Sequence, residues 1–155
     1  ATVATLSLDD VNDIIATRTL LECGAVDLLR RPGPDLTLLR EALAALGRAP
    51  ETNWQALIDA DRAFHTELVG LARSPRLTAA YAQLDADVRR TMTVTTRAYQ
   101  DVRELQDEHA DILIALDRRT YGRVKALLRE HFGEDAAKLG RVLRGDAAPP
   151  RTPYP

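Results

Sequence analysis

The residues of this sequence best suited to chemistry are three histidines and one aspartate. Asp61 and His65 are four residues apart, so a helix places them one turn apart on the same face. His109 and His131 lie on the apolar faces of two later helical segments. The chain has three histidines, and the pattern predicts that all three face the interior, one of them beside a carboxylate.

A divalent metal ion would account for this arrangement. A buried carboxylate without a partner is costly, and a metal would neutralise Asp61 while three neutral imidazoles coordinate it. This mixed nitrogen and oxygen set suits Zn, which we favour, as well as Ni, Co, Mn or Fe. The alternative is three ordinary core histidines, each satisfied by a hydrogen bond. Spacing alone leaves both interpretations open.

Arg18 is a further polar residue on an inward face, that of the first helical segment. Its guanidinium stays charged at any relevant pH, so it needs a carboxylate, an anion or water. One interpretation pairs it with Glu22 one turn along the helix, or lets it extend to the surface. The other makes Arg18 a clamp for an anionic ligand.

Apolar residues at i, i+3 and i+4 spacing predict the helices that must position these side chains. Ser7 followed by Asp10 predicts a capping box at the first start, Gly47 suits the position after the second helix, and Ser74-Pro75 suits the start of the fourth. The predicted segments cover residues 7–28, 36–46, 51–72 (with the start between 51 and 53), 75–99, 102–116 and 121–143.

Composition agrees with an all-α domain. The 155 residues are 45% hydrophobic and 28% charged, with many strong helix formers. The net charge of −2 makes this segment alone a poor binder of nucleic acid. The single cysteine, Cys23, excludes an intramolecular disulfide and favours a cytoplasmic setting. No apolar run approaches the roughly 20 residues of a membrane span.

Four segments resemble one known family, the FCD effector domain of the FadR-type branch of GntR transcription regulators. Residues 18–22 (RTLLE) match its Arg-x-x-Leu-Glu, and residues 61–65 (DRAFH) match its Asp-x-x-Phe-His. Residues 108–113 (EHADIL) match its Glu-His-x-x-Ile-Leu, and His131 stands where its final histidine falls. The chain departs from the family at residues 119–120, where Arg-Thr replaces the usual Gly-Asp between the last two helices.

The resemblance implies a fold, a site and partners. The fold would be an antiparallel bundle of six or seven helices around a central pocket, over residues 1–145, with 146–155 as a flexible tail. Arg18 would lie near a small organic-acid effector, and the metal ligands would be Asp61, His65, His109 and His131. Relatives of this kind form homodimers and bind operator DNA through an N-terminal winged helix-turn-helix domain, which we expect to be absent from this chain.

Two other functions are compatible with the sequence. A mononuclear metal-dependent hydrolase could use the same ligands, but it needs a general base, and helix geometry turns Glu108 about 100° away from its neighbour His109. A metal-free helical dimerisation module would need only structural histidines. We expect a sensor domain and no enzyme, because no acid–base pair can be assembled from the pattern.

Overall fold

The computed structural model describes residues 7–29, 33–50, 53–98 and 102–146, apart from the side chains of 94–98. Over these ranges the chain is all-helical, as predicted, and contains no strand. The predicted tail lies outside these ranges from residue 147 onward, as do residues 31 and 32 of the Pro-rich turn at 31–34. The helices are α1 Leu8–Asp27, α2 Thr37–Arg48, α3 Trp54–Gly70, α4 Pro75–Gln83, α5 Asp85–Ala98, α6 Val102–Asp117 and α7 Tyr121–Leu143.

Local polar side chains begin the helices where the sequence predicts. Ser7 and Asp10 form the complete reciprocal capping box of α1, which satisfies two amide donors that no helical carbonyl can reach. Asn53 caps α3, and Ser74 caps α4 with Pro75 in the first turn. These contacts account for three of the predicted helix starts.

Two predicted boundaries were wrong. The fourth segment is two helices, because Leu84 caps the end of α4 and acidic residues open α5, where they favour a helix N-terminus. Ion pairs from Arg62 to Asp85 and from Arg89 to Asp59 hold α5 against α3. The second segment was predicted to end before Gly47, but Gly47 is helical and the helix continues to Arg48.

The turn between α6 and α7 keeps a geometry that normally requires glycine. Arg119 has φ 56°, in the left-handed region that costs a non-glycine residue about 1–2 kcal/mol. The Arg119 amide donates to the Leu116 carbonyl at 2.9 Å, and the Thr120 amide to the Ala115 carbonyl at 2.9 Å. These two bonds form a Schellman motif, so the Arg-Thr departure leaves the turn intact at the cost of strain.

The core lies where α1, α3, α6 and α7 meet. α1 and α6 both pack on α7, and α3 packs on α1, α2 and α5. The apolar faces of these helices form one main cluster around two fully buried rings, Phe64 and Phe132. Inward faces of α1, α3, α6 and α7 therefore converge on one region. None of the described helices has the length and apolarity that a membrane span requires.

Candidate metal centre

Three helices bring the predicted ligands together in this core. Asp61 and His65 extend from successive turns of α3, His109 from α6 and His131 from α7. None of these side chains is more than 3% exposed. One potential ligand atom from each residue lies within 4.8 Å of the other three. Residues up to 70 positions apart in the chain, from Asp61 to His131, thus form one buried cluster.

Every histidine of the cluster has its Nδ1 atom engaged by an acceptor. Nδ1 of His65 lies 2.7 Å from Glu22 Oε2, and Nδ1 of His131 lies 2.6 Å from Glu108 Oε2. Nδ1 of His109 lies 2.6 Å from the Leu105 carbonyl oxygen. Carboxylates and carbonyls only accept, so each Nδ1 is the protonated, donating nitrogen. In the neutral form of each ring, Nε2 is therefore left with a lone pair.

Those lone pairs point at one another and at a carboxylate. Nε2 of His65 and Nε2 of His109 are 3.1 Å apart, and Nε2 of His109 is 2.9 Å from Asp61 Oδ1. Nε2 of His131 is buried without a hydrogen-bond partner. Burial, together with the nearby Arg18, lowers the pKa of His65 well below its usual value, which keeps that ring neutral. With each ring neutral and its proton on Nδ1, three nitrogen lone pairs and a carboxylate would face one another, a donor set that suits a divalent cation.

Aromatic side chains hold the imidazole rings in place. The Phe64 ring meets the His109 ring edge-on at a centroid separation of 4.7 Å and the His65 ring at 5.6 Å. Phe132 lies against His65 and His131 at 5.4 and 5.1 Å. Both phenylalanines are almost fully buried, so the rings have little freedom to rotate away.

Arg18 lies beside the cluster and pairs with Glu22, as one of its two interpretations predicts. Its Nε donates to Glu22 Oε1 at 3.0 Å and to the Tyr81 hydroxyl at 3.3 Å. Its guanidinium carbon is 4.6 Å from the centre of the Phe132 ring. Burial opposes its charge, but Tyr81, Glu22 and Asp61 outweigh burial and raise the pKa of Arg18.

One nitrogen of the Arg18 guanidinium, Nη2, makes no hydrogen bond within the protein. Arg18 Nη2 is buried, has no hydrogen-bond partner and lies 3.9 Å from Asp61 Oδ2. The separation of 3.9 Å is too long for a hydrogen bond. Pairing with Glu22 therefore satisfies only part of Arg18, and Nη2 faces the same interior region as Asp61.

Four residues beside the cluster have contacts that the sequence pattern does not predict, or predicts only in part. The pattern offers Glu22 only as a partner of Arg18, yet Glu22 also holds His65. The pattern places Glu108 beside His109 in the sequence, yet its side chain reaches His131 across the α6–α7 interface. Nothing in the sequence pattern around Tyr81 indicates a role at the cluster. Asp135 could have been found from its spacing, because it follows His131 by four residues, as His65 follows Asp61.

Asp135 lies directly beside the cluster. Its side chain is buried, and its Oδ2 atom is 3.8 Å from Nε2 of His131. It is near enough to Asp61 and Arg18 to interact electrostatically with both. It does not belong to the group whose ligand atoms all lie within 4.8 Å, so it borders the cluster without completing it.

Comparison with known proteins agrees with this fold. The family model of the FCD domain matches residues 13–134 of the chain, a stretch that includes Arg18 and every residue of the cluster. The chain therefore belongs to the FCD domain family, a family of domains of GntR-type transcription regulators. None of the curated proteins compared with the chain matches it.

A solved structure of another protein has a similar fold. It is a structural-genomics crystal structure of a protein assigned as a GntR transcriptional regulator, from Rhodococcus sp. RHA1. The two chains superpose with a TM-score of 0.72 at 20% sequence identity, over 88% of this chain and 67% of that one. At this level of identity the likeness concerns the fold, which is the predicted all-α bundle.

Proposed function

We propose that the chain is the metal-containing effector-binding and dimerisation domain of a GntR/FadR-type regulator. The metal would be held by one carboxylate and three Nε2 atoms, from Asp61, His65, His109 and His131. The observation that supports this most strongly is that all three Nδ1 atoms already donate elsewhere, so that only acceptor atoms face the centre. Buried acceptors normally have a partner, and Arg18 Nη2, at 3.9 Å from Asp61 Oδ2, is too far away to be that partner.

The donor set narrows the choice of metal. Imidazole and carboxylate suit divalent Zn, Ni, Co, Mn or Fe, and the absence of a thiolate among the four removes the preference for softer ions. We favour Zn, because it accepts three histidines and one carboxylate and can expand to five-coordination when a further ligand binds. When bound, the ion would supply a Lewis-acidic position for an anionic group.

We further propose that the effector is a small carboxylated metabolite. A divalent ion with one carboxylate and three neutral imidazoles has a formal charge of +1. Arg18 adds a second positive charge, and its Nη2 atom has no hydrogen-bond partner. An effector carboxylate would satisfy Nη2 in a region where a charge-assisted hydrogen bond is strong.

The regulatory role follows from linkage between sites. The domain would belong to a homodimer whose winged helix-turn-helix domains, N-terminal to the residues of this chain, bind operator DNA. An effector present at about 100 times its Kd stabilises the conformation that binds it by about 2.7 kcal/mol. If that conformation orients the DNA-binding domains differently, operator affinity changes by the same coupling free energy.

Elemental analysis of the purified domain tests the metal proposal. Wild-type protein should contain about one equivalent of a transition metal, and the His131→Ala variant should lose most of it. Glu130→Ala, an exposed change on the same helix, should retain it. A wild-type protein that stays metal-free after reconstitution would contradict the proposal.

A calorimetric screen of metal-loaded protein tests the effector proposal. Hydroxy acids, sugar acids and dicarboxylates should include at least one ligand, while neutral analogues with the same carbon skeleton should not bind. Binding of a neutral analogue with no response to any acid would contradict it.

A mononuclear hydrolase is the second candidate, and Asp135 is the observation that favours it. A carboxylate beside the metal ligands is where such an enzyme would need its general base. We nevertheless favour the sensor role because of the family to which the chain belongs. Hydrolysis of p-nitrophenyl acetate by metal-loaded protein, compared with Asp135→Asn, distinguishes the two. The sensor role predicts that the two proteins are equally inactive.

A further inference from the structure

The carboxylate of Asp135 is buried beside the cluster. It is not one of the four proposed metal ligands. It lies on α7 one turn after His131 and is 7% exposed. Its Oδ2 atom is 3.8 Å from Nε2 of His131, a nitrogen that has no hydrogen-bond partner. An effector that occupies the region between His131 and Arg18 would therefore lie against Asp135.

The buried charges around the cluster have no net positive excess, so every effector carboxylate adds uncompensated charge and a dicarboxylate adds twice as much as a monocarboxylate. Three buried carboxylates, from Glu22, Asp61 and Asp135, face one guanidinium, that of Arg18. A divalent ion and three neutral imidazoles bring the formal sum to zero. A dicarboxylate would add two negative charges to this region, and unpaired charge in a protein interior is costly.

A hydrogen-bond donor on the effector would suit Asp135 instead. A carboxyl group can accept such a bond in either protonation state. The donor must be close to the carboxylate of the effector, because Asp135 and the proposed ligand atom of His131 are only 3.8 Å apart. A hydroxyl or ammonium group on the adjacent carbon atom meets this requirement.

We propose that Asp135 is a specificity-determining residue that selects effectors with a hydrogen-bond donor on the carbon next to the carboxylate, and that it rejects dicarboxylates. This inference rests on the proposed function, since it requires an acid bound at the metal centre. It narrows the effector from carboxylated metabolites in general to 2-hydroxy or 2-amino acids.

A matched series of four-carbon acids tests the inference by calorimetry on the metal-loaded domain. The probes are butyrate, 2-hydroxybutyrate, 2-aminobutyrate and succinate, with both enantiomers of the two substituted acids. One of the substituted acids should bind about 10–100-fold more tightly than butyrate, the range expected for a hydrogen bond to a charged group. Succinate should bind no better than butyrate.

The Asp135→Ala variant should lose this discrimination while it keeps its metal. Elemental analysis should find the same metal content as in wild type, because Asp135 is not among the four proposed ligands. Asp135→Asn, which keeps an acceptor, should preserve the preference for 2-hydroxybutyrate over butyrate.

The outcomes separate the inference from the proposed function. If butyrate or succinate bound as tightly as the substituted acids, or if Asp135→Ala kept the wild-type preference, the inference would be wrong and the proposed function would stand. Loss of metal from Asp135→Ala would also overturn it and would make Asp135 a ligand. If none of the acids bound, both proposals would fail together.

Discussion

The carboxylate of Glu22 and the imidazole of His65 are 2.7 Å apart, although 43 residues separate them in the chain. The contact is fully buried and joins α1 to α3. It holds the His65 proton on Nδ1 and thereby leaves Nε2 as an acceptor. In proteins that bind metals through histidine, such a carboxylate orients the ring and increases the basicity of the ligand.

Replacement of this carboxylate by an amide should weaken metal binding. Glu22→Gln keeps the size of the side chain but removes the negative charge that supports His65, so we expect metal affinity to fall about 10–100-fold. Competition with a chromophoric chelator measures the change.

Tyr81→Phe is the matched control. In wild type, the Tyr81 hydroxyl donates to the other oxygen of Glu22 at 2.7 Å. Loss of this hydroxyl should reduce the free energy of unfolding by about 1–3 kcal/mol. Metal affinity should stay close to wild type. Equal losses of affinity in both variants would mean that Glu22 acts through general stability and does not position His65.

Arg18→Lys should separate effector binding from metal binding. Lysine keeps the charge but lacks the planar fork that binds a carboxylate through two donors, so affinity for an effector acid should fall about 10-fold or more. Metal content should remain at wild-type level, because Arg18 is not a proposed ligand. Calorimetry with the acid identified in the screen gives the first quantity and elemental analysis the second. An unchanged acid affinity would remove Arg18 from the effector site.

Removal of the metal should lower thermal stability. Nε2 of His109 lies 2.9 Å from Asp61 Oδ1 and 3.1 Å from Nε2 of His65, so a bound cation would cross-link these buried groups between α3 and α6. Metal at about 100 times its Kd would contribute about 2.7 kcal/mol, which corresponds to a decrease in Tm of roughly 5–10 °C on chelation in a chain of this size. Differential scanning fluorimetry with and without EDTA measures this. His131→Ala should show little response, and a wild-type Tm insensitive to EDTA would contradict the metal centre.

Arg119→Gly should stabilise the domain. Glycine adopts the φ of 56° found at this position without the penalty of a side chain. After allowance for the greater freedom of glycine in the unfolded chain, the gain should be about 0.5–1 kcal/mol. Urea unfolding compared with wild type checks the sign. Arg118→Gly, one position earlier in the cap, should not stabilise, and a destabilised Arg119→Gly would mean that contacts of the Arg119 side chain outweigh the strain.

The sequence could predict helix caps and shared helix faces, because these depend on residues three or four positions apart. The Ser7–Asp10 capping box and the Ser74 cap follow from side chains that reach amides three residues away. Asp61 and His65 share a helix face for the same reason. The break at Leu84 was not visible, because the ion pairs that hold α5 on α3 join residues such as Arg62 and Asp85 that are 23 positions apart.

By itself, the sequence determined an all-helical bundle in which three histidines, Asp61 and Arg18 face the interior. Helical periodicity specifies which side of a helix is buried, but it does not specify the neighbour across an interface. Only the tertiary structure decided that Glu22 holds His65, that Glu108 holds His131 and that Asp135 borders the cluster. These relationships depend on how α1, α3, α6 and α7 pack together, because hydrogen-bond distances are set by the relative positions of whole helices.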